Sequence, residues 1–193
     1  VTPLSTLMLA PCVEHLPPGV VNLVAGAGDV GAAITADPRI DGVAFTGSVE
    51  TGKKVGHACM DRVARVNLEM GGKDPFIVCA DMADRLDVAA RGGAWAAYLN
   101  AGQVCTSAER FYVQEEIYDD YVNAFVDVAK GLVVGDPMNG DSDLGPMVSA
   151  AQRAKVADQV EAAVGAGAEL LAGGDLAGNE RGHFYAPAVV TGA

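Results

Sequence analysis

The run Gly42-Val43-Ala44-Phe45-Thr46-Gly47-Ser48-Val49-Glu50-Thr51-Gly52 decides the fold. Its apolar start reads as a buried strand; glycine then ends the strand, and Ser48 caps a helix reaching to about Met60. Outward from this junction the same grammar repeats. Upstream, small residues from Gly28 to Ala36 suit a helix packed closely on a sheet, and Val20 to Val24 reads as a buried strand. Before them, Leu4, Leu7, Met8, Cys12 and Leu16 recur at helical spacing until Pro17-Pro18-Gly19. Downstream, Arg62 to Leu68 gives the next strand. Strand, helix, strand alternation predicts an α/β fold with a parallel sheet and helices on both faces.

Gly71-Gly72, where a strand ends in two glycines, is read as the boundary between domains 1–71 and 72–193, and a second α/β unit begins at the loop around Gly102. Phe76 to Cys79 is a strand, and the Ala-rich stretch Leu86 to Leu99 is a helix leading into a loop around Gly102. Phe111 to Val113 is a strand, and Ile117, Tyr121, Phe125 and Val128 form the apolar stripe of a helix ending near Gly131. Val156, Val160 and Val164 mark another helix, and Ala168 to Leu171 another strand.

Composition narrows the function. The 193 residues are 50% hydrophobic, enough to bury a core, and carry 25 acidic against 13 basic residues for a formal charge of −12. No Lys/Arg cluster stands against that background, so nucleic acid is not an expected partner. Gly, Pro or a charge interrupts every apolar stretch, and no membrane span is expected. Cys12, Cys59, Cys79 and Cys105 form no Cys-x-x-Cys pair and no zinc-type spacing with His, so no metal is expected and a reducing cytoplasm fits. The chain opens Val-Thr-Pro-Leu without an initiator Met and stops within an apolar segment, so both ends are expected to be cuts in a longer protein.

Four short segments carry chemistry. Gly26-Ala27-Gly28-Asp29-Val30-Gly31 satisfies the Gly-x-Gly-x-x-Gly dinucleotide pattern, with Glu50 roughly where a ribose-binding acid falls; a tight turn with close helix packing explains it equally. At Gly47-Ser48 the free N–H groups and the Ser48 hydroxyl suit a phosphate at the positive end of the helix dipole, or an ordinary N-cap. Glu69, in Leu68-Glu69-Met70-Gly71-Gly72-Lys73, ends an apolar strand, where desolvation would raise its pKa toward that of a general base; the alternative is an acid paired with Lys73. Cys105, in Gly102-Gln103-Val104-Cys105-Thr106-Ser107, lies in a polar loop where a thiol is exposed and reactive, whereas Cys12, Cys59 and Cys79 sit in apolar periodicity and read as packing residues.

Together these segments resemble the aldehyde dehydrogenase superfamily. Pro17-Pro18-Gly19-Val20-Val21-Asn22, Ala44-Phe45-Thr46-Gly47-Ser48, Leu68 to Pro75 and Gly102-Gln103-Val104-Cys105 stand in that family's order and near its spacing, across essentially the whole chain. The resemblance implies a Rossmann-like cofactor half (1–71) followed by part of an α/β catalytic domain (72–193) carrying the nucleophile. It makes Cys105 the nucleophile and Glu69 the general base of an NAD- or NADP-dependent oxidation of a small aldehyde to its acid. Gly47, Ser48, Thr51 and Gly52 then lie against the cofactor, Met70 and Gly71 near the nicotinamide, and Gly28 near the adenosine half. An acid at 69 favours water over coenzyme A as acyl acceptor.

Three departures accompany the resemblance: Ser107 replaces a smaller or amide residue, Asp29 stands where Pro is common, and the interval from Glu69 to Cys105 is slightly long, with the extra residues expected at a surface turn around Met82 to Arg85. The family's oxyanion-hole Asn, its cofactor-binding Lys and the Glu that holds the nicotinamide ribose have no counterpart here, so residues 1–193 alone are expected to be inactive, and the full-length protein to be a homo-oligomer. Two other readings stay open: a non-catalytic nucleotide-binding fragment, and a Cys/His hydrolase using His183.

Overall fold

In a computed structural model, which describes residues 3–175 and 182–192, the chain separates into two units, Val1–Gly71 and Gly72–Ala193. The first runs α1 (Pro3–Leu7), a 3-10 turn (Ala10–Val13), α2 (Gly28–Ala36), β1 (Gly42–Gly47), α3 (Val49–Met60) and β2 (Arg65–Met70). The single helix expected over residues 2–16 is broken after Leu7. Pro11 is the cause, because it has no N–H for the Leu7 carbonyl and its ring clashes there. Val20 to Val24 forms no strand either. A strand needs a neighbour to complete its ladder, and none pairs with this run among the described residues; Val20 and Val24 remain 61% and 67% exposed.

β1 and β2 pair in parallel, from Gly42 opposite Arg65 to Gly47 opposite Met70. The crossover is α3, which packs on both strands, with α2 packed against it. Residues along β2 alternate strictly between exposed and half-buried. One face is therefore covered and the other open, rather than both being covered as expected. After α3 the chain spends three residues turning, with Val63 at φ 57°, so β2 starts later than the apolar pattern implied. Arg62 fastens this turn, donating to the Thr35 carbonyl (3.1 Å) and to the Ile40 carbonyl. That joins the end of α2 to the entry of β1.

The second unit runs β3 (Asp74–Val78), a 3-10 helix (Ala80–Arg85), α4 (Leu86–Tyr98), β4 (Ala108–Val113), α5 (Tyr118–Gly131), α6 (Ala150–Gly165), β5 (Glu169–Ala172) and β6 (Val189–Thr191). β3 and β4 are parallel. β5 and β6 are antiparallel. The core gathers Val78, Ala89, Ala90, Ala94, Tyr121 and Phe125, where the small residues of α4 let α5 approach. The Phe125 ring lies tilted, 4.9 Å from that of Phe111 and 5.9 Å from that of Tyr98. Burial pushes the Tyr98 and Tyr121 phenols well above their usual range. Tyr98 donates to the Ala188 carbonyl at 3.0 Å, whereas the buried Tyr121 hydroxyl has no hydrogen-bond partner among the described residues.

The segment from Met82 to Arg85, expected as a surface turn, lies in the 3-10 helix Ala80–Arg85; its charged side chains face solvent while Met82 packs on the core. Of the three thiols expected inside, only Cys59 is buried; Cys12 and Cys79 are exposed. Cys79 directly follows the last residue of β3, and the alternation of that strand, with Val78 inward, turns it outward.

Candidate active site

In the first unit, the candidate cofactor residues gather at one edge. Gly47 ends β1 and lies opposite Met70, the end of β2, while Thr46 lies opposite Glu69. Parallel strands thus deliver both motifs to their carboxyl ends, where open α/β sheets hold ligands. Ser48 follows in extended conformation and caps α3: its Oγ accepts from the Thr51 N–H at 3.2 Å and lies 3.0 Å from the Thr51 hydroxyl. Both hydroxyl residues are exposed. One turn in, Gly52 is buried; a β-carbon there would stand 2.5 Å from Met70 Sδ, so glycine lets the Met70 side chain lie directly against α3.

Gly28 begins α2, whose N-cap residue Ala27 offers no side-chain hydrogen bond, so the first N–H groups of that helix are free of a side-chain cap. Gly71 follows β2 with open space around its α-carbon. Glu50 does not end a second strand, as a ribose-binding acid would. It sits in the first turn of α3, paired to Lys54 at 2.7 Å, and that ammonium holds its carboxyl below the usual range.

Glu69 corrects an expectation. It is exposed, not desolvated, because alternation along β2 turns Leu68 and Met70 inward and Asn67 and Glu69 outward. Its apolar neighbours therefore cover the other face. The competing pair with Lys73 is not formed: Lys73 bridges Glu109 at 2.5 Å.

In the second unit, Cys105 occupies a turn just before β4, closed by the Ser107 N–H donating to the Val104 carbonyl at 3.1 Å. The thiol is exposed. Both sides of the turn are fastened. Upstream, Asn100, Ala101 and Gly102 all have positive φ (54°, 57° and 74°), which reverses the chain after α4 and suits glycine at the last position, where a β-carbon would also press on the Ala97 carbonyl at 3.2 Å. Downstream, Ser107 is 4% exposed, and its hydroxyl lies 3.0 Å from the Ala97 carbonyl and 3.2 Å from that of Ala96.

The serine that departs from the family pattern is thus an anchor, a role with no signature in the local residue pattern. Gln103, two residues before the thiol, makes two hydrogen bonds through its amide that hold the same loop. No histidine ring makes a hydrogen bond to Cys105 among the described residues, where a Cys/His hydrolase would have one. Among the described residues, three His, Cys, Asp or Glu side chains do not converge there as a metal site would require, and no helix is long and apolar enough to cross a membrane.

The sequence matches the model of the aldehyde dehydrogenase family over residues 1–193. The chain belongs to the aldehyde dehydrogenase family. Among family members, it is 44% identical over 192 residues to retinaldehyde dehydrogenase 3 of Mus musculus, covering 97% of this chain and 37% of that protein. It is 39% identical to phenylacetaldehyde dehydrogenase of Pseudomonas fluorescens, again over 97% of this chain and 38% of the relative. The crystal structure of a betaine aldehyde dehydrogenase from Staphylococcus aureus in complex with NAD+ superposes with a TM-score of 0.94 at 32% identity, covering 100% of this chain and 39% of that one. An NAD-dependent aldehyde dehydrogenase from Sinorhizobium meliloti gives 0.94 at 44% identity, covering 98% and 38%. The fold is the α/β fold of this family, and the chain spans somewhat over a third of its relatives' length.

Proposed function

We propose that the full-length protein oxidises an aldehyde to a carboxylic acid with NAD or NADP, using Cys105 as nucleophile and Glu69 as base. The observation that carries this reading is the exposed thiol of Cys105 on a turn fastened on both sides, while Cys59 is buried and unavailable. A nucleophile needs access and a fixed approach together.

The Cys105 thiolate adds to the aldehyde carbon, forming a C–S bond and a tetrahedral oxyanion, for which the backbone N–H of Cys105 is a suitable donor. A bound nicotinamide supplies the hydride acceptor. Collapse of the oxyanion leaves an acyl thioester on Cys105. Glu69 takes a proton from water, the resulting hydroxide attacks the thioester carbonyl, and the carboxylic acid leaves as the thiolate is restored.

Residues 1–71 fit the cofactor role. Gly47, Ser48, Thr51 and Gly52 surround the N-terminus of α3, whose free N–H groups and exposed hydroxyls suit a pyrophosphate, and Met70 and Gly71 close the same strand edge. Gly28 opens a second helix N-terminus suited to the adenosine half. The NAD+ in the Staphylococcus aureus relative supports NAD as the cofactor. Residues 72–193 are the part carrying the nucleophile. Four free thiols agree with a reducing compartment.

The test is substitution in the full-length protein. Cys105→Ser is expected to abolish reduction of NAD by small aldehydes, and Cys12→Ser and Cys79→Ser to leave it. Turnover that survives Cys105→Ser overturns the reading.

A further inference from the structure

We infer that Gln103 is a positioning residue, fixing the placement of Cys105 by joining its turn to the Met147–Val148 segment through both ends of the side-chain amide. The inference rests on Cys105 being the nucleophile.

The hydrogen bonds form a closed set. The Gln103 amide nitrogen Nε2 donates to the Asn100 carbonyl at 3.0 Å, the Gln103 backbone N–H donates to the same oxygen at 3.2 Å, and Asn100 Nδ2 donates back to the Gln103 carbonyl at 3.3 Å. These bonds close the left-handed run Asn100-Ala101-Gly102. The other end of the amide reaches out of the loop: Oε1 accepts from the Val148 N–H at 2.9 Å, across 45 positions of sequence.

That far anchor is itself held. The Met147 N–H donates to the His183 carbonyl at 3.0 Å, and Ser149 caps α6 by accepting from the Gln152 N–H at 3.2 Å. Two residues after Gln103 comes the thiol, and two residues later Ser107 binds the end of α4. Cys105 is therefore suspended between two braces, one to α4 and one to the start of α6. Only an amide of this length serves the first brace, because it must donate at one atom and accept at the other. Glutamate keeps the acceptor for Val148 but offers Asn100 no donor; alanine keeps neither.

Addition to an aldehyde requires the sulfur within about 3–3.5 Å of the carbon on a defined line, and a misplacement near 1 Å costs on the order of 10²-fold. In the full-length enzyme with NAD, Gln103→Ala is expected to slow the single-turnover burst of reduced nicotinamide about 10- to 100-fold, with the Kd for NAD and the Tm unchanged. The pH midpoint for alkylation of Cys105 by iodoacetamide should also stay in place, since a neutral side chain is removed. Gln103→Glu brings a charge near the thiol, so it is compared on the high-pH plateau, where its burst should fall between wild type and Gln103→Ala.

A wild-type burst in Gln103→Ala overturns the inference. So does a loss of activity that accompanies lost NAD binding and a lowered Tm, which marks a general structural role, and so does a Glu variant no faster than Ala on the plateau. Cys105→Ser is run alongside. If it turns over, the nucleophile reading itself has failed; if it is dead while Gln103→Ala is normal, only the positioning role has.

Discussion

The sulfur of Met70 stands where a side chain on Gly52 would begin: a β-carbon built on Gly52 lies 2.5 Å from Met70 Sδ and 3.2 Å from its Cγ. This contact seats the Met70 side chain against the first turn of α3, joining the two pieces proposed to lie along the cofactor.

Gly52→Ala separates stability from binding. Alanine in a helix interior is favoured over glycine by up to about 1 kcal/mol, and the methionine is flexible enough to move aside. We expect a Tm within a few degrees of wild type. The displaced Met70 should weaken NAD binding by about an order of magnitude, the size of a displaced contact worth about 1.4 kcal/mol. Calorimetric titration of the full-length protein checks this, and an unchanged Kd contradicts it.

Ser48 has two proposed tasks, cap and phosphate ligand, and two substitutions divide them. Ser48→Ala removes the oxygen that accepts from Thr51 and is expected to cost about 1 kcal/mol of stability. Ser48→Asp keeps a good cap and complements the helix dipole, so its unfolding midpoint should match wild type, yet its charge would repel a pyrophosphate. NAD affinity equal to wild type in Ser48→Asp would show that no phosphate lies there.

Ser107 carries a prediction that needs no cofactor. Its buried hydroxyl serves two of the last carbonyls of α4, which have no partner within the helix. Ser107→Ala should lower stability by about 1–2 kcal/mol, one hydrogen bond plus part of the penalty for unsatisfied carbonyls. Urea unfolding should show a lower midpoint with unchanged slope. An unchanged midpoint means the hydroxyl contributes nothing.

The alternation of elements from Gly28 to Met70 and from Asp74 to Ala172 was legible because hydrophobic period and capping residues agree at each junction, Ser48 above all. Where they failed, one local or one distant cause suffices. Pro11 broke a helix whose apolar spacing was sound, and Val20 to Val24 lacked a pairing partner, which no propensity supplies. Glu69 was misjudged for a geometric reason: apolar flanking residues in a strand belong to the opposite face, so they say nothing about burial of the residue between them. The braces on Cys105 were invisible for another. Gln103 meets Val148 across 45 positions, and Ser107 returns to α4 through a left-handed run containing two non-glycine residues, conformations that the residues themselves do not announce.

The most direct test of the account is the identity of the atom that holds the acyl group. Full-length Glu69→Gln, mixed with NAD and an aldehyde and quenched in acid, is expected to accumulate the thioester, because acylation proceeds while the water is not activated. Mass spectrometry of the digested protein should find the acyl mass on the peptide containing Cys105, with one equivalent of reduced nicotinamide released in the burst. An acyl group on any other residue, or steady turnover at the wild-type rate without an adduct, would contradict the assignment of Cys105 and Glu69.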